Sequence, residues 1–298
     1  MIRTIKYILV ILAIQAVANY LYLVAIKSLD WDFIKVIEIS NQKKSHYDIL
    51  ALGNSLTLDG FNSEVVEKRG YSTYNYGLNG CSYKTQYNVL KEFIRNGNTT
   101  HLIILGLSTG RDDLENKESI ENIQRMYDYI YSTSINLSDL PLYKFRGSFT
   151  QMLRRLVSSS HRETSLYQGH LRVLRNKLDS SQYIPEPSNF DIQTLYNKQH
   201  FKYLWMIIEL SAENSIPLYL VEYPCSNDDK NSYPIKFNIY HQSSGLKSEI
   251  LNVNNYVLSD SLFNGQKAWL GNDHLNIHGS IILTNYLMDS IVKRKVLR

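Results

Sequence analysis

Cysteine is almost missing from this chain: Cys81 and Cys225 are the only two in 298 residues. Two are too few for a disulfide framework, and they stand too far apart for a C-x-x-C metal pair. Two buried free thiols fit the burial habit of cysteine, with one disulfide in an oxidising compartment as the alternative. Strong charge of either sign is also lacking. The net charge is +4, too mild to imply nucleic acid as a partner. Neither a phosphate-binding P-loop nor a dinucleotide fingerprint occurs, so no nucleotide cofactor is expected. A zinc helix of the H-E-x-x-H type is missing too. His274 and His278 have the spacing, but no Glu follows the first, and Asn276 and Gly279 argue against such a helix. Asp112 and Asp113 read as a charge pair at a helix start rather than metal ligands. No cofactor and no metal are expected, and no internal repeat is evident.

What remains is an ordinary globular balance, 44% hydrophobic and 20% charged. The 23 tyrosines suit sugar-binding and interface surfaces, a weak compositional hint. Residues 7–26, YILVILAIQAVANYLYLVAI, carry no charge. About 20 helical residues span ~30 Å, the thickness of a bilayer core. Arg3 and Lys6 precede the run and favour a cytoplasmic N-terminus, with the rest of the chain exported. Ala16-Val17-Ala18 resembles a signal cleavage site, so secretion after cleavage is the alternative. The apolar run continues well past that site, which favours an uncleaved anchor. A buried helix of a soluble protein is a third reading. The expected organisation is an anchor or signal over 1–27, a linker with a short helix over 28–45, and a domain over 46–298.

Within that domain, apolar runs alternate with helical periodicity. HYDILALG, YSTYNYGLNG, HLIILGLSTG and IPLYLVEYP read as strands; NSEVVEKRG, SYKTQYNVLKEFIRNG, the segment from 190 to 215 and the C-terminal tail read as helices. The alternation predicts an α/β three-layer sandwich with a mainly parallel sheet, whose ligands bind beyond the C-terminal strand ends. Ser55, Gly80 and Ser108 each follow a different strand and fall on one rim. Residues 111–189 break the pattern and read as a helical insertion. Its Arg, Lys and His residues form a solvated face or meet anionic lipid or glycan.

Two segments carry chemistry. DILALGNSLTLDGF ends a buried strand on Gly53-Asn54-Ser55, which reads either as an ordinary loop or as a serine held clear of the sheet as a nucleophile. WLGNDHLNIHG, residues 269–279, presents His274 in a loop before the final helix. On a common rim, His274 takes the Ser55 proton as general base. Cys81 reads as a small packed residue rather than a thiol nucleophile.

These segments resemble the blocks of the SGNH or GDSL hydrolases. Gly53-Asn54-Ser55-Leu56 resembles the first block, NYGLNGCSY the second, and HLNIHG the His-Leu-Asn form of the fifth, while HLIILGLSTG occupies the place of the third. The resemblance runs from about residue 47 to 290. It implies a flavodoxin-like fold, Ser55 as nucleophile, His274 as base and an oxyanion hole from the backbone N–H groups of Ser55 and Gly80, with Gly77 the alternative to Gly80. Asn54 and Asn276, beside the two catalytic positions, are expected on the substrate side. Two positions depart from the pattern. Ser108 stands where the family has an Asn donor, and loss of one such donor typically costs ~10²–10³ in rate. Gly271 stands where the family has the orienting Asp, leaving Asp273 or a backbone carbonyl to orient His274.

The N-terminal anchor, with these blocks, is similar to cell-envelope acyl-transfer proteins such as the D-alanyl transfer protein of teichoic acids and the alginate O-acetylation proteins. That implies a membrane-anchored serine esterase or O-acyltransferase, with an acyl donor, a glycan acceptor and a membrane-bound acyltransferase as partners. A catalytically degenerate glycan-binding or scaffold subunit, and a lipid esterase, are the competing readings.

Overall fold

The computed structural model describes residues 2–107, 126, 130, 140–145, 149, 164–173, 201–224, 234–240, 247–264, 267–270 and 274–292. The chain divides into two compact units, residues 1–41 with 121–162, and residues 42–120 with 163–298. Part of the expected insertion thus belongs with the N-terminal segment.

The first unit is built on α1, Ile2–Leu29. Within Arg3–Ser28 an 18-residue stretch has a mean hydropathy of 2.2, and the helix is long and apolar enough to cross a bilayer. Leu9, Leu12, Val17 and Leu21 are each more than half exposed, whereas a core helix of a soluble protein buries such side chains. Asn19 and Tyr22 face a neighbour. Asn19 Oδ1 accepts from Leu142 N–H at 3.0 Å, and the Tyr22 hydroxyl donates to the Phe145 carbonyl at 2.7 Å. Those contacts hold the short helix α6, Pro141–Lys144, against α1. Much of the expected linker is helical as α2, Trp31–Asn41, whose first turn is capped by Asp30 Oδ1 accepting from Asp32 N–H at 3.0 Å.

The second unit contains a six-stranded sheet. In chain order its strands and the helices between them are β1 (His46–Leu52), α3 (Ser55–Gly60), α4 (Ser63–Lys68), β2 (Thr73–Asn75), α5 (Tyr83–Arg95), β3 (Thr99–Leu107), α7 (Lys202–Glu213), β6 (Leu218–Glu222), β7 (Lys236–Tyr240) and β8 (Lys247–Asn252). A separate hairpin, β4 (Thr164–Tyr167) and β5 (His170–Val173), precedes α7, and α8 (Tyr256–Phe263) and α9 (Ile277–Val292) follow the sheet. The strand order is β2-β1-β3-β6-β8-β7, parallel throughout except for the antiparallel edge strand β7. Leu50 pairs with Tyr74 on one side and Ile103 on the other. The continuous apolar runs of β1 and β3 follow from burial on both faces. On one face Ile49, Ile104, Val221 and Leu251 pack in one cluster with Leu283, Leu287 and Ile291 of α9. Helices α5 and α7 pack together, and Phe93 of α5 meets the Tyr76 ring edge-on at 5.5 Å.

The parallel α/β architecture agrees with the sequence expectation. Three features differ from it. A helix begins at Ser55 itself. The strands β7 and β8 lie outside the strands expected from the sequence, although Lys-Phe-Asn-Ile-Tyr of β7 alternates polar and apolar residues. Residues 164–173 of the expected helical insertion form a β-hairpin. The long helix expected from residue 190 is described only over Lys202–Glu213; its earlier part lies outside the described residues.

Candidate active site

The Gly53-Asn54-Ser55 turn has a separate physical reason for each residue. A Cβ on Gly53 would lie 1.9 Å from Thr57 Oγ1, so only glycine lets α3 fold back against the strand end. Asn54 is the N-cap: its Oδ1 accepts from Leu56 N–H at 3.0 Å, and its carbonyl accepts from Leu58 N–H at 2.9 Å. Ser55 is then the first residue of α3, with its N–H outside the intrahelical ladder. From residue 51 to 63 every side chain is buried except Ser55, which is half-buried.

The histidine is presented by a tight loop. Trp269 and Leu275 form an antiparallel bridge, Leu270 N–H donates to the His274 carbonyl at 2.8 Å, and Asn276 N–H donates to the Ala268 carbonyl at 2.9 Å. Asn276 caps α9, its Oδ1 accepting from His278 and Gly279 N–H at 2.9 and 3.1 Å, while its Nδ2 donates to the Lys267 carbonyl at 2.8 Å. A Cβ on Gly279 would stand 2.2 Å from the Ala268 carbonyl oxygen, so glycine is required for the loop to lie on the helix. The result is a half-buried imidazole whose Nε2 lies 2.9 Å from Ser55 Oγ. This is the distance at which an imidazole accepts a hydroxyl proton.

The helix that follows His274 is tied to the segment that follows α3. Asn62 N–H donates to Thr284 Oγ1 at 2.8 Å, and Asn62 Nδ2 donates to Ser280 Oγ at 3.1 Å. From the other side, Asn75 reaches under α3: its Nδ2 donates to the carbonyls of Thr57 and Phe61, both at 2.8 Å, and its Oδ1 accepts from Gly77 N–H at 2.8 Å. The hairpin adds a third support. Gln168 carbonyl accepts from Ser63 Oγ at 3.0 Å and from Asn75 N–H at 2.9 Å, and the Tyr167 hydroxyl donates to Glu67 at 2.6 Å. Arg172 of the hairpin pairs with Glu64, so this cation of the expected basic insertion is matched by an acid.

Beneath the turn, Thr57 Oγ1 fills the space that Gly53 and Gly106 leave; a Cβ on Gly106 would lie 2.1 Å from it. Tyr223 lies beside Gly106 with its hydroxyl buried. Burial pushes the Tyr223 hydroxyl well above the ordinary tyrosine pKa, and the nearby Thr57 hydroxyl opposes that shift without reaching ordinary hydrogen-bond geometry. Tyr223 therefore stays neutral.

The remaining expected residues divide clearly. Gly80 is exposed at φ +58°, a left-handed turn position with open space around its Cα. Gly77, the alternative oxyanion donor, has its N–H bonded to Asn75. Asn276, expected on the substrate side, is buried, and both its polar atoms serve the loop and the helix cap. Asn54 is also buried, with its Oδ1 engaged as a cap. Cys81 is buried, and its thiol donates to the Gly53 carbonyl at 3.1 Å. Ser108, Asp273, Gly271, Asp112, Asp113 and Cys225 lie outside the described residues.

Sequence reasoning missed Asn62, Asn75, Thr57 and the hairpin. The Asn62 cap was legible as a helix start, but its bonds to α9 span more than 200 residues of chain and leave no local signal. Asn75 lies inside NYGLNGCSY, and its partners at residues 57 and 61 precede it by 14 or more residues, which leaves no local signal.

Comparison with protein-family models gives no match, and neither does comparison with curated sequences. Among solved structures, a chain from Streptococcus pneumonia named as "a putative platelet activating factor" is similar at 13% identity and a TM-score of 0.43, over 94% of this chain and 98% of that one.

Proposed function

We propose that this chain is an SGNH-type serine esterase or O-acyltransferase, held at the membrane by α1 and acting outside the cytoplasm on a cell-envelope polysaccharide. The observation that carries the reading is the 2.9 Å approach of His274 Nε2 to Ser55 Oγ, made by a serine at a strand end and a histidine before the last helix. In this reading Ser55 Oγ attacks the carbonyl carbon of an acyl donor as His274 Nε2 takes its proton. The negative oxygen of the tetrahedral intermediate accepts from the N–H groups of Ser55 and Gly80, with the Ser108 hydroxyl as a further donor. Collapse breaks the bond to the leaving group, which departs with the proton from His274, and leaves an ester on Ser55. A sugar hydroxyl then attacks that ester, gives its proton to His274, and carries the acyl group away as Ser55 recovers the proton. Water in place of the sugar gives hydrolysis. Asp273 or a backbone carbonyl orients the imidazole.

The exposed apolar surface of α1 and the basic residues of its first turns, Arg3 and Lys6, support anchoring with the N-terminus inside; secretion after cleavage is the alternative. The resemblance to envelope acyl-transfer proteins favours transfer over hydrolysis and a membrane-bound acyltransferase as partner.

The test is intact-mass analysis of the chain after treatment with a fluorophosphonate. A single adduct is expected on the wild type, none on Ser55→Ala, and strongly slowed labelling of His274→Ala. A folded wild type that takes no adduct would replace this reading with that of a non-catalytic glycan-binding or scaffold subunit.

A further inference from the structure

At the end of β1 remote from Ser55, three side chains with metal-ligand chemistry converge. His46 opens β1, Asp48 lies two residues on and hence on the same face, and His101 projects from the adjacent strand β3. Ligand atoms from all three lie within 4.8 Å of one another. His101 Nδ1 stands 3.2 Å from Asp48 Oδ1. That separation matches the ligand–ligand edge of a tetrahedral ion with bonds of about 2.0–2.1 Å. The His46 and His101 rings are 4.6 Å apart and steeply inclined at 76°.

Each of the first two ligands is also oriented from behind. Asp48 Oδ2 accepts from both the N–H and the hydroxyl of Ser72, each at 2.8 Å, which leaves Oδ1 facing the cluster. His46 Nδ1 meets the Thr99 hydroxyl at 2.7 Å, which leaves Nε2 as its ligand atom. Such outer contacts are what fix ring and carboxylate orientation around bound metals. A simple surface ion pair would account for Asp48 and one imidazole. It does not account for a second imidazole, held by its own hydroxyl, beside the same carboxylate.

We propose that His46, Asp48 and His101 bind a borderline divalent cation, zinc above all, with a fourth position open to water. Two imidazoles and one carboxylate suit zinc and disfavour magnesium and calcium, which prefer all-oxygen sites. Both imidazoles are exposed, so closing the cluster from its present spacing requires only side-chain rotation. The bound ion clips the starts of β1 and β3 together and stabilises the folded chain by mass action. β1 separates this cluster from Ser55 by about 20 Å, at roughly 3.3 Å per strand residue. The site is therefore independent of the acyl-transfer reading.

The test uses the full chain in detergent, stripped of metal, with zinc titrated against a chromophoric chelator. One zinc per chain is expected, equally in the wild type and in Ser55→Ala, together with a rise in melting temperature. His46→Gln and His101→Gln should each weaken binding at least about tenfold, as losses of metal-site groups commonly do. Both positions are exposed, so circular dichroism of the metal-free variants should match the wild type. Absence of zinc binding at micromolar concentrations, or binding that survives in the double variant, overturns the proposal. If a variant fails to fold, cobalt-loaded wild type decides. An intense visible band of tetrahedral cobalt supports the site, and the weak spectrum of aqueous octahedral cobalt refutes it.

Discussion

Replacing Asn75 by Ala removes a side chain that touches no candidate catalytic atom yet supports the helix bearing Ser55. Asn75 is fully buried, and its amide bonds the carbonyls of Thr57 and Phe61 and the N–H of Gly77. Thr57 carbonyl keeps its bond from Phe61 N–H at 3.0 Å, so its loss is partial. The Phe61 carbonyl and the Gly77 N–H lose the bonds that Asn75 makes to them. Each buried backbone group left unsatisfied costs about 1–3 kcal/mol. The expected destabilisation is about 2–4 kcal/mol, taking both groups toward the lower half of that range for partial relaxation. Trp269, buried in the His274 loop, and Trp205, buried in α7, provide a fluorescence signal from the second unit for urea titration. Asn75→Asp should be no better, because it keeps the acceptor for Gly77 but turns an oxygen toward two carbonyls. Fluorophosphonate labelling of Ser55 should slow in both variants, since the serine loses its support. A loss of stability below about 1 kcal/mol for Asn75→Ala, the worth of a typical exposed contact, would refute the clamp.

Two further outcomes follow from the packing and the charges. Gly106→Ala places a Cβ 2.1 Å from Thr57 Oγ1 and 2.9 Å from the Tyr223 ring, so it should destabilise by more than about 2 kcal/mol, and Thr57→Ala in the same chain should recover part of that loss in a double-mutant cycle. Additive single losses would show that the two positions do not share the space. Glu64 is held below its ordinary pKa first by Lys68, against the opposing effect of burial, and then by Arg172. A folded value below the unfolded one means stability present above the unfolded glutamate pKa of about 4.3, and lost as pH falls through the lower folded value. Denaturation midpoints from pH 6 to 3 (a range of about three units around that value) should therefore fall more steeply in wild type than in Glu64→Gln. The difference should stay under about 1 kcal/mol, because the pair is solvent-screened; parallel curves would remove the linkage.

Local signals carried much of this protein. The uncharged run at residues 7–26 determined a long apolar helix, because length and polarity alone set that outcome. The continuous apolar runs of β1 and β3, broken by helical periodicity, determined a parallel sheet, since only burial on both faces allows strands without polar alternation. Gly53-Asn54-Ser55 and His274-Leu275-Asn276 could be singled out from residue type and position. What each residue does there was a tertiary matter. Asn276 reads as a substrate ligand in sequence and is a helix cap in the fold, because the acceptors and donors it meets come from residues 267–279 folded back on themselves. Residues 164–173 read as helix and pair as a hairpin, because α3, α4 and β2 offer that segment hydrogen-bond partners about 100 residues away in sequence. The approach of His274 to Ser55 joins positions 219 residues apart. Residue type and position singled out both side chains. Only the packing of α9 against α3, through Thr284 and the Gly60 carbonyl, and against the α4 cap Asn62, through Ser280 and Thr284, sets the distance between them, since that distance depends on contacts no local pattern encodes.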